Sequence, residues 1–409
     1  MKEDRLWQRI MELGSIGAHE DSGGVTRLSF TEEERQAKNR VIQYMKEAGL
    51  TVREDHIGNV IGRKEGKDPL APVVLTGSHI DTVPHGGKFD GALGVLAAIE
   101  ALQQMNEQGI ETHHPIEVMA FTDEEGSRFG VGMLGSRALA GTLTLEQLTQ
   151  TDEQGLTIAE VMRRAGYEPE KLREAAGDPA KIKGYVELHI EQGTVLERNN
   201  LPVGIVSGIA GPLWLQFTLT GQAGHAGATP MNARRDPLAC ASEIMSFIYQ
   251  ETKKYPNAVA TVGKIRALPG GVNVIPEQVE FTLDLRDIDE TVRNQLEGKI
   301  RNYAEQASRE QVIQLEISLL QRVAPAPCSS EITSAVKAAC QQAGLSPFTL
   351  VSGAGHDGMQ FTDFCPIGMI FVRSREGISH SPLEWSTPDD CRAGTEVLYH
   401  TLIQLAQSR

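Results

Sequence analysis

Five residues of this 409-residue chain, His79, Asp90, Glu125, His189 and His380, carry side chains that bind divalent cations and lie at the ends of candidate elements. Imidazole nitrogens and carboxylate oxygens suit ions such as Zn²⁺ or Mn²⁺, and a site for two ions needs at least one ligand that bridges them. The densest stretch is Gly77-Ser-His-Ile-Asp-Thr-Val-Pro-His-Gly-Gly-Lys-Phe-Asp-Gly91. It follows the apolar run Val73–Leu75 and precedes the apolar segment Leu93–Ile99, an order that reads as strand, loop and helix. Asp90 is the candidate bridge. Asp81, two residues beyond His79, is spaced to set a carboxylate against that imidazole and fix its tautomer. A second stretch, Phe121-Thr-Asp-Glu-Glu-Gly126, follows the apolar run Ile116–Phe121 and puts two acids at a strand's carboxyl edge, where open parallel sheets hold their ligands. Adjacent strand residues point to opposite sides, so one of Glu124 and Glu125 can bind metal while the other faces the attacking water as general base.

Blander readings compete with each of these. A lone histidine is more often a surface or satisfied core residue, and Glu-Glu-Gly taken alone is an ordinary acidic turn. Context weighs against them. His189 sits in Val186-Glu-Leu-His-Ile-Glu-Gln192, where alternation sets Glu187, His189 and Glu191 on one side of an otherwise apolar strand. His380 sits in the turn-like Gly377-Ile-Ser-His-Ser-Pro382. The segment Gly130-Val-Gly-Met-Leu-Gly135 matches the GxGxxG dinucleotide pattern. However, it does not directly follow a strand, and Asp123 to Glu125 would repel a pyrophosphate, so its glycines are read as packing glycines. The chain has no GxSxG nucleophile elbow and no GKS or GKT phosphate loop.

The elements that must hold these residues alternate between strand and helix. Helical spacing over Thr31–Ala48 ends at Gly49, and two short strands follow around Gly58-Asn59 within Thr51–Ile61. Then come strand Val73–Leu75, helix Ala92–Asn106, strand Ile116–Phe121, a long polar and helical stretch, and strand Gly184–Ile190, an α/β layer pattern. After Gly208-Ile-Ala-Gly211 the character changes. Leu213–Thr220 alternates as a half-exposed strand, followed by helix Asp236–Lys253, strands Ala258–Ile265 and Gln278–Leu285, helix Glu290–Arg309 and strand Gln314–Leu320. This β-α-β-β-α-β series reads as a ferredoxin-like α+β insertion able to serve as lid, dimerisation surface or both. Prolines in Val323-Ala-Pro-Ala-Pro327 mark a hinge, and the strand Ile367–Val372 is expected to rejoin the first sheet. The expected organisation is a catalytic domain over 1–210 and 326–409 with the insertion at 211–325.

Bulk properties narrow the function. A chain of 409 residues exceeds the roughly 250–300 that one core organises, so two domains are expected. Forty per cent apolar and 23 per cent charged residues are ordinary globular values. A formal charge of −15 disfavours binding to nucleic acid or an anionic membrane. The five cysteines, Cys240, Cys328, Cys340, Cys365 and Cys391, contain no CxxC pair and fit a reducing compartment. The charged, amphipathic N-terminal segment and the lack of any run near the roughly 18 apolar residues of a membrane span predict a soluble, cytoplasmic protein.

Taken together, Gly77-Ser-His-Ile-Asp-Thr-Val, Gly86-Gly-Lys-Phe-Asp-Gly, Thr122-Asp-Glu-Glu-Gly-Ser-Arg-Phe, Glu187-Leu-His-Ile-Glu-Gln-Gly and His225-Ala-Gly-Ala-Thr-Pro-Met resemble the amidohydrolase branch of the dinuclear metallopeptidase superfamily. Within it the chain most resembles the N-carbamoyl-L-amino acid hydrolases, with allantoate amidohydrolases and β-ureidopropionases as close relatives. The resemblance runs from Gly23 to Ala406 and implies an α/β catalytic domain with a mixed sheet flanked by helices. It implies two divalent ions per subunit (Zn, Mn, Co or Ni), one held by His79, Asp90 and His189 and the other by Asp90, Glu125 and His380. It makes Glu124 the general base and Asp81 the residue orienting His79. It assigns substrate binding to Gln192, His225, Asn273, Arg286 and the Gly353-Ala-Gly355 turn. Chemistry supports two of these: a guanidinium fork suits a substrate carboxylate, and a loop histidine can donate to a developing oxyanion. His356-Asp357 is implied to support the site rather than bind metal. The resemblance further implies homodimerisation through the insertion, which must close over the metals for turnover. His85 departs from the small or polar residue expected before Gly86-Gly87 and so bears on the pocket rim. An allantoate amidohydrolase, an aminoacylase or dipeptidase, and a noncatalytic binding protein on the same scaffold are the alternatives.

Overall fold

The computed structural model describes residues 3–408, so the first two residues of the charged N-terminal segment lie outside the described residues. The chain forms two compact units, one running up to Ser207 and again from Pro327 onward, the other spanning Gly208–Ala326.

In the first unit a mixed sheet runs in the order Thr51–Glu54, Val60–Lys64, Ile116–Phe121, Val73–His79, Ile182–Ile190, Ile367–Val372 and Val203–Ile209. Its middle four strands, from Ile116–Phe121 to Ile367–Val372, are mutually parallel, and antiparallel neighbours flank them on both sides. Strands buried on both faces read as continuous apolar runs rather than alternating ones, and Ile116–Phe121 and Ile367–Val372 are buried throughout. The helix Ala92–Glu107 is buried from Ala92 through Leu102. It packs against strand Val73–His79 and the helices Glu3–Leu13 and Pro388–Gln407, so a helix apolar all round suits it. Thr31 caps the helix Glu32–Glu47 by accepting the Glu34 amide hydrogen bond.

Two local expectations are corrected. The strand expected at Val73–Leu75 extends to His79, making that histidine a strand terminus rather than a loop residue. Glu124 and Glu125 do not lie on a strand: Ile116–Phe121 stops before them, and φ values of 56° at Asp123 and 62° at Gly126 bend them into a turn. A turn separates two adjacent side chains by backbone curvature, where a strand would do so by pleating.

The second unit is a four-stranded antiparallel sheet in the order Gln314–Arg322, Gly211–Thr220, Gln278–Asp287 and Val259–Leu268. The helices Pro237–Thr252 and Glu290–Glu310 cover one face. Period-two alternation buries Leu213, Leu215, Phe217 and Leu219 against Val279, Phe281, Leu283 and Leu285. Phe217 and Phe281 stand opposite in register and stack at 4.6 Å. The element order and strand order are those of a ferredoxin-like unit. Among the described residues no helix is long and apolar enough to cross a membrane, and the five cysteines are free.

Candidate metal centre and catalytic site

The four parallel strands of the first unit end at one edge, and each delivers part of the site there. His79 closes its strand, and Asp81 follows it. His189 is the penultimate residue of Ile182–Ile190. Glu124 and Glu125 follow Phe121, and the loop after Val372 carries His380. In register, His79 stands opposite Phe121, and His189 opposite Phe371. Residues separated by up to three hundred positions therefore converge at the carboxyl ends of parallel strands, where such sheets bind ligands.

Asp90 lies between two groups of ligand atoms, His79–Asp90–His189 and Asp90–Glu125–His380, and within each group the candidate atoms lie within 4.8 Å of one another. Its two oxygens divide between them. Oδ1 lies 3.1 Å from His189 Nε2 and 3.8 Å from His79 Nε2, whereas Oδ2 lies 3.1 Å from His380 Nε2. Glu125 Oε1 is 3.5 Å from His380 Nε2. Both buried histidines have their tautomer set by the backbone. His79 Nδ1 donates to the Asp81 carbonyl at 3.1 Å and His189 Nδ1 to the Ile190 carbonyl at 2.9 Å, so each Nε2 is the ring atom turned toward Asp90 and the one left to bind an ion once it is free of a proton. Asp81 meets His79 twice, its carbonyl as the hydrogen-bond acceptor and its carboxylate Oδ1 at 3.7 Å from the same Nδ1, while the carboxylate also accepts the amide N–H groups of Glu124 (3.2 Å) and Glu125 (3.1 Å) and so fixes the acidic turn. The Gly130–Gly135 segment clamps that turn from the other side, with Met133 and Leu134 amides donating to the Glu124 and Asp123 carbonyls.

The residues fit a pair of cations. Glu125 Oε1 is buried, and among the described residues no hydrogen-bond donor reaches it, a cost that coordination would remove. Burial and the charge of Asp90 push the Glu125 carboxyl up to about 8. Burial, then Asp357 and Glu125, push Glu124 well above the carboxylate range. Burial alone would raise Asp90, but hydrogen bonds with His189 and His380 hold it well below its ordinary value. Burial opposes charge on His189, yet the Asp90 hydrogen bond and charge lift it to about 9. For His380 the Asp90 hydrogen bond leads, and the result is again about 9. Glu124 Oε2 is 3.7 Å from His79 Nε2, so this acid borders the ligand groups without belonging to either.

Gln192 also joins the centre, with its amide donating to Asp90 Oδ2 (3.0 Å) and to Ser379 Oγ (3.1 Å). Gln192 and His380 adopt φ values of 55° and 53°, left-handed conformations that cost non-glycine residues energy and cluster at functional sites. Gly91, at φ 61°, is obligatory: a Cβ there would meet the His79 ring at 2.5 Å. His356 is buried 4.4 Å from the His189 ring and bonded to Ser352 Oγ, with buried Asp357 beside it. Gly355 lies between strand Thr349–Ser352 and this pair. His85 stacks on His19 at 4.1 Å.

The remaining expected residues belong to the second unit. His225 pairs with Val274 in a two-stranded ladder, and the Asn273 carbonyl accepts the Ala226 amide, which ties the two segments together. Arg286 projects from the sheet face opposite the buried leucines and is salt-bridged to Asp284 at 2.7 Å. One residue not anticipated from sequence is Glu384, buried and bonded to the amides of Phe89 and Asp90. Lying in Ser-Pro-Leu-Glu-Trp, it offered no signal beyond its closeness to His380.

An α/β sheet with a divided aspartate at its carboxyl edge defines a metallohydrolase-type centre, and the chain belongs to peptidase family M20/M25/M40, whose model matches residues 75–404. It is 58% identical to an N-carbamoyl-L-amino acid amidohydrolase of Geobacillus stearothermophilus, over 99% of this chain and 98% of that one. It is 45% identical to the N-carbamoyl-L-amino-acid amidohydrolase of Pseudomonas sp. (strain NS671), over 99% and 98% respectively. Among solved structures, an amidase of the hydantoinase/carbamoylase family from Burkholderia multivorans superposes with TM-score 0.93 at 38% identity, covering 100% of this chain and 98% of the other.

Proposed function

We propose that the protein is a metal-dependent amidohydrolase that cleaves the carbamoyl C–N bond of N-carbamoyl-L-amino acids. Water is consumed, and the L-amino acid, ammonia and carbon dioxide are released. The observation that carries this reading is the division of Asp90 between two ligand groups, with the largely buried Glu124 beside them and outside both. The two carbamoyl amino acid amidohydrolases, similar over nearly the whole chain, support the substrate class.

His79, Asp90 and His189 would hold one divalent ion and Asp90, Glu125 and His380 the other, a donor set that accepts Zn²⁺, Mn²⁺, Co²⁺ or Ni²⁺. When bound, such a pair polarises a carbonyl and lowers the pKa of water toward neutrality. Glu124 takes the proton of the attacking water and delivers it to the departing nitrogen. Its buried, acid-rich surroundings raise its proton affinity, which suits it to both halves of the transfer. His225 Nδ1 accepts the Gly227 amide at 3.1 Å, so a neutral ring carries its hydrogen on Nε2, free to donate to the tetrahedral oxyanion. Arg286 takes the substrate carboxylate, and Asn273, Gln192 and Gly355 complete substrate binding. The second unit serves as lid and homodimerisation surface, a role supported by Trp214 (39% exposed) and Val259 (54% exposed). The charge balance and free cysteines favour a cytoplasmic enzyme.

Kinetics of the metal-reconstituted protein over N-carbamoyl, N-formyl and N-acetyl amino acids and allantoate test this reading. The expected result is the highest kcat/KM for an N-carbamoyl-L-amino acid. Preferred turnover of allantoate would move the protein to ureide degradation, and metal uptake without hydrolysis of any member would make it a binding protein.

A further inference from the structure

Glu384 is only 3% exposed, and its carboxylate is shared between two loops that meet at the centre. Oε1 accepts the amide N–H groups of Phe89 (2.9 Å) and Asp90 (3.0 Å). Oε2 accepts the Ser379 hydroxyl at 2.8 Å. The same hydroxyl lies 3.2 Å from Asp90 Oδ2 and accepts the Gln192 amide, so Asp90, Gln192, Ser379 and Glu384 form one continuous network beside His380. The loop around Gly87 is shaped for this carboxylate: a Cβ on Gly87 would lie 2.0 Å from Glu384 Oε1.

The two ligand groups differ in what supports them. His79 and His189 stand on strand ends within a buried parallel sheet, whose ladders pair them with Phe121 and Phe371 and so already fix them. His380 and Glu125 stand on loops, His380 at φ 53° and half exposed. A loop ligand keeps its place only if something else orders the loop.

We propose that Glu384 is the positioning residue of the second half of the centre, tying the Asp90 backbone to the His380 loop so that Asp90, Glu125 and His380 meet one ion. The inference rests on the two-ion reading above. It predicts an asymmetric defect, because the ion held by the two strand histidines depends far less on this tie.

The test is Co²⁺ titration of the metal-free full-length protein, followed by ligand-field absorption and calorimetry. The parent is expected to take up two ions; fewer than two would refute the two-ion reading itself, independently of Glu384. Glu384→Ala should bind one ion as the parent does and the other about 10–100-fold more weakly, the usual cost of losing an outer partner of a metal ligand. In Glu384→Gln, the amide oxygen can still accept the two backbone N–H groups while its NH₂ donates to Ser379. This variant should stay within about threefold of the parent. Parent-like binding of both ions by Glu384→Ala, or equal weakening of both, overturns the proposal, as does a Gln variant no better than Ala. If Glu384→Ala gives no cooperative melt, Ser379→Ala, which removes the hydroxyl joining the Glu384 carboxylate to Asp90 Oδ2 and Gln192 beside His380, decides the matter. Selective weakening of one ion there supports the tie, and parent-like binding of both overturns it.

Discussion

Loading the proposed centre with metal should displace protons from its ligands. Metal-free, His189 and His380 are lifted to about 9 and Glu125 to about 8, whereas Asp90 stays ionised. Three ligands therefore hold protons at pH 7, and each must lose one to bind an ion. Every displaced proton changes the binding constant by a factor of about 10 per pH unit. The combined affinity for both ions should thus rise about a thousandfold per unit below pH 8, about a hundredfold between 8 and 9, and level off above 9. Metal-free stability runs the other way. These three groups bind protons more tightly in the folded chain than at their ordinary values of 6.5 and 4.5. Their contribution is therefore complete below those values and is lost as pH rises through about 8 for Glu125 and about 9 for the histidines. Chelator competition at pH 7, 8 and 9 measures the slope, and calorimetry at pH 7 in two buffers of different ionisation enthalpy counts the protons. Flat affinity across this range, or release of fewer than one proton, would refute the assignment of these side chains as ligands.

Three further outcomes are expected. Glu124→Gln should retain both ions, because Glu124 lies outside both ligand groups, and lose about 10²–10⁴-fold in kcat, or about 3–5 kcal/mol of barrier; ammonia release with parallel metal analysis checks it, and near-parent turnover contradicts the base role. Gly91→Ala should lose about 1–3 kcal/mol of stability by forcing a side chain into positive φ and against His79, visible in denaturant melts and in weakened binding of the His79 ion. Arg286→Lys, which exchanges a two-pronged fork for a point charge, should lower kcat/KM for carbamoyl amino acids about 10–100-fold, mainly through KM; an unchanged KM would remove Arg286 from the substrate site.

Of the five candidate ligands, His79, Glu125 and His189 were legible because they stand at or just beyond apolar runs, where a charged or polar group demands a reason, whereas Asp90 and His380 lie in loops and stood out only through their surrounding motifs. The parallel arrangement of their strands followed from the same runs. Where the sequence reading stopped short, the deciding information was three-dimensional. Nothing local distinguishes a strand ending at Leu75 from one ending at His79, since Thr76, Gly77 and Ser78 are polar or small yet fully buried between neighbouring strands. The acidic pair was placed on a strand because a left-handed Asp123 carries no sequence mark when its side chain is not glycine. The Asp81 carbonyl joins its carboxylate at the His79 ring, because a two-residue spacing brings both groups near the imidazole. Glu384 was missed because its partners are backbone amides almost three hundred positions away.

The charge around the centre favours cations at these candidate ligands. Asp81, Asp90, Asp123, Glu124, Glu125, Glu187, Asp357 and Glu384 are all nearly or wholly buried there. The two buried cationic side chains nearby are largely engaged elsewhere. Arg27 donates to the carbonyls of Leu13, Ile16 and Ile80, and Lys38 pairs with Glu34. Uncompensated buried carboxylates either take up protons or acquire counter-ions, and burial raises Asp123, Glu124, Glu125, Glu187, Asp357 and Glu384 alike. Asp90 is the exception, held ionised by two histidines on opposite oxygens. A carboxylate held in its charged form among neighbours whose proton affinity burial raises is the one suited to serve two cations at once. The bridging role proposed for Asp90 is therefore favoured by the electrostatics of the fold as well as by its position.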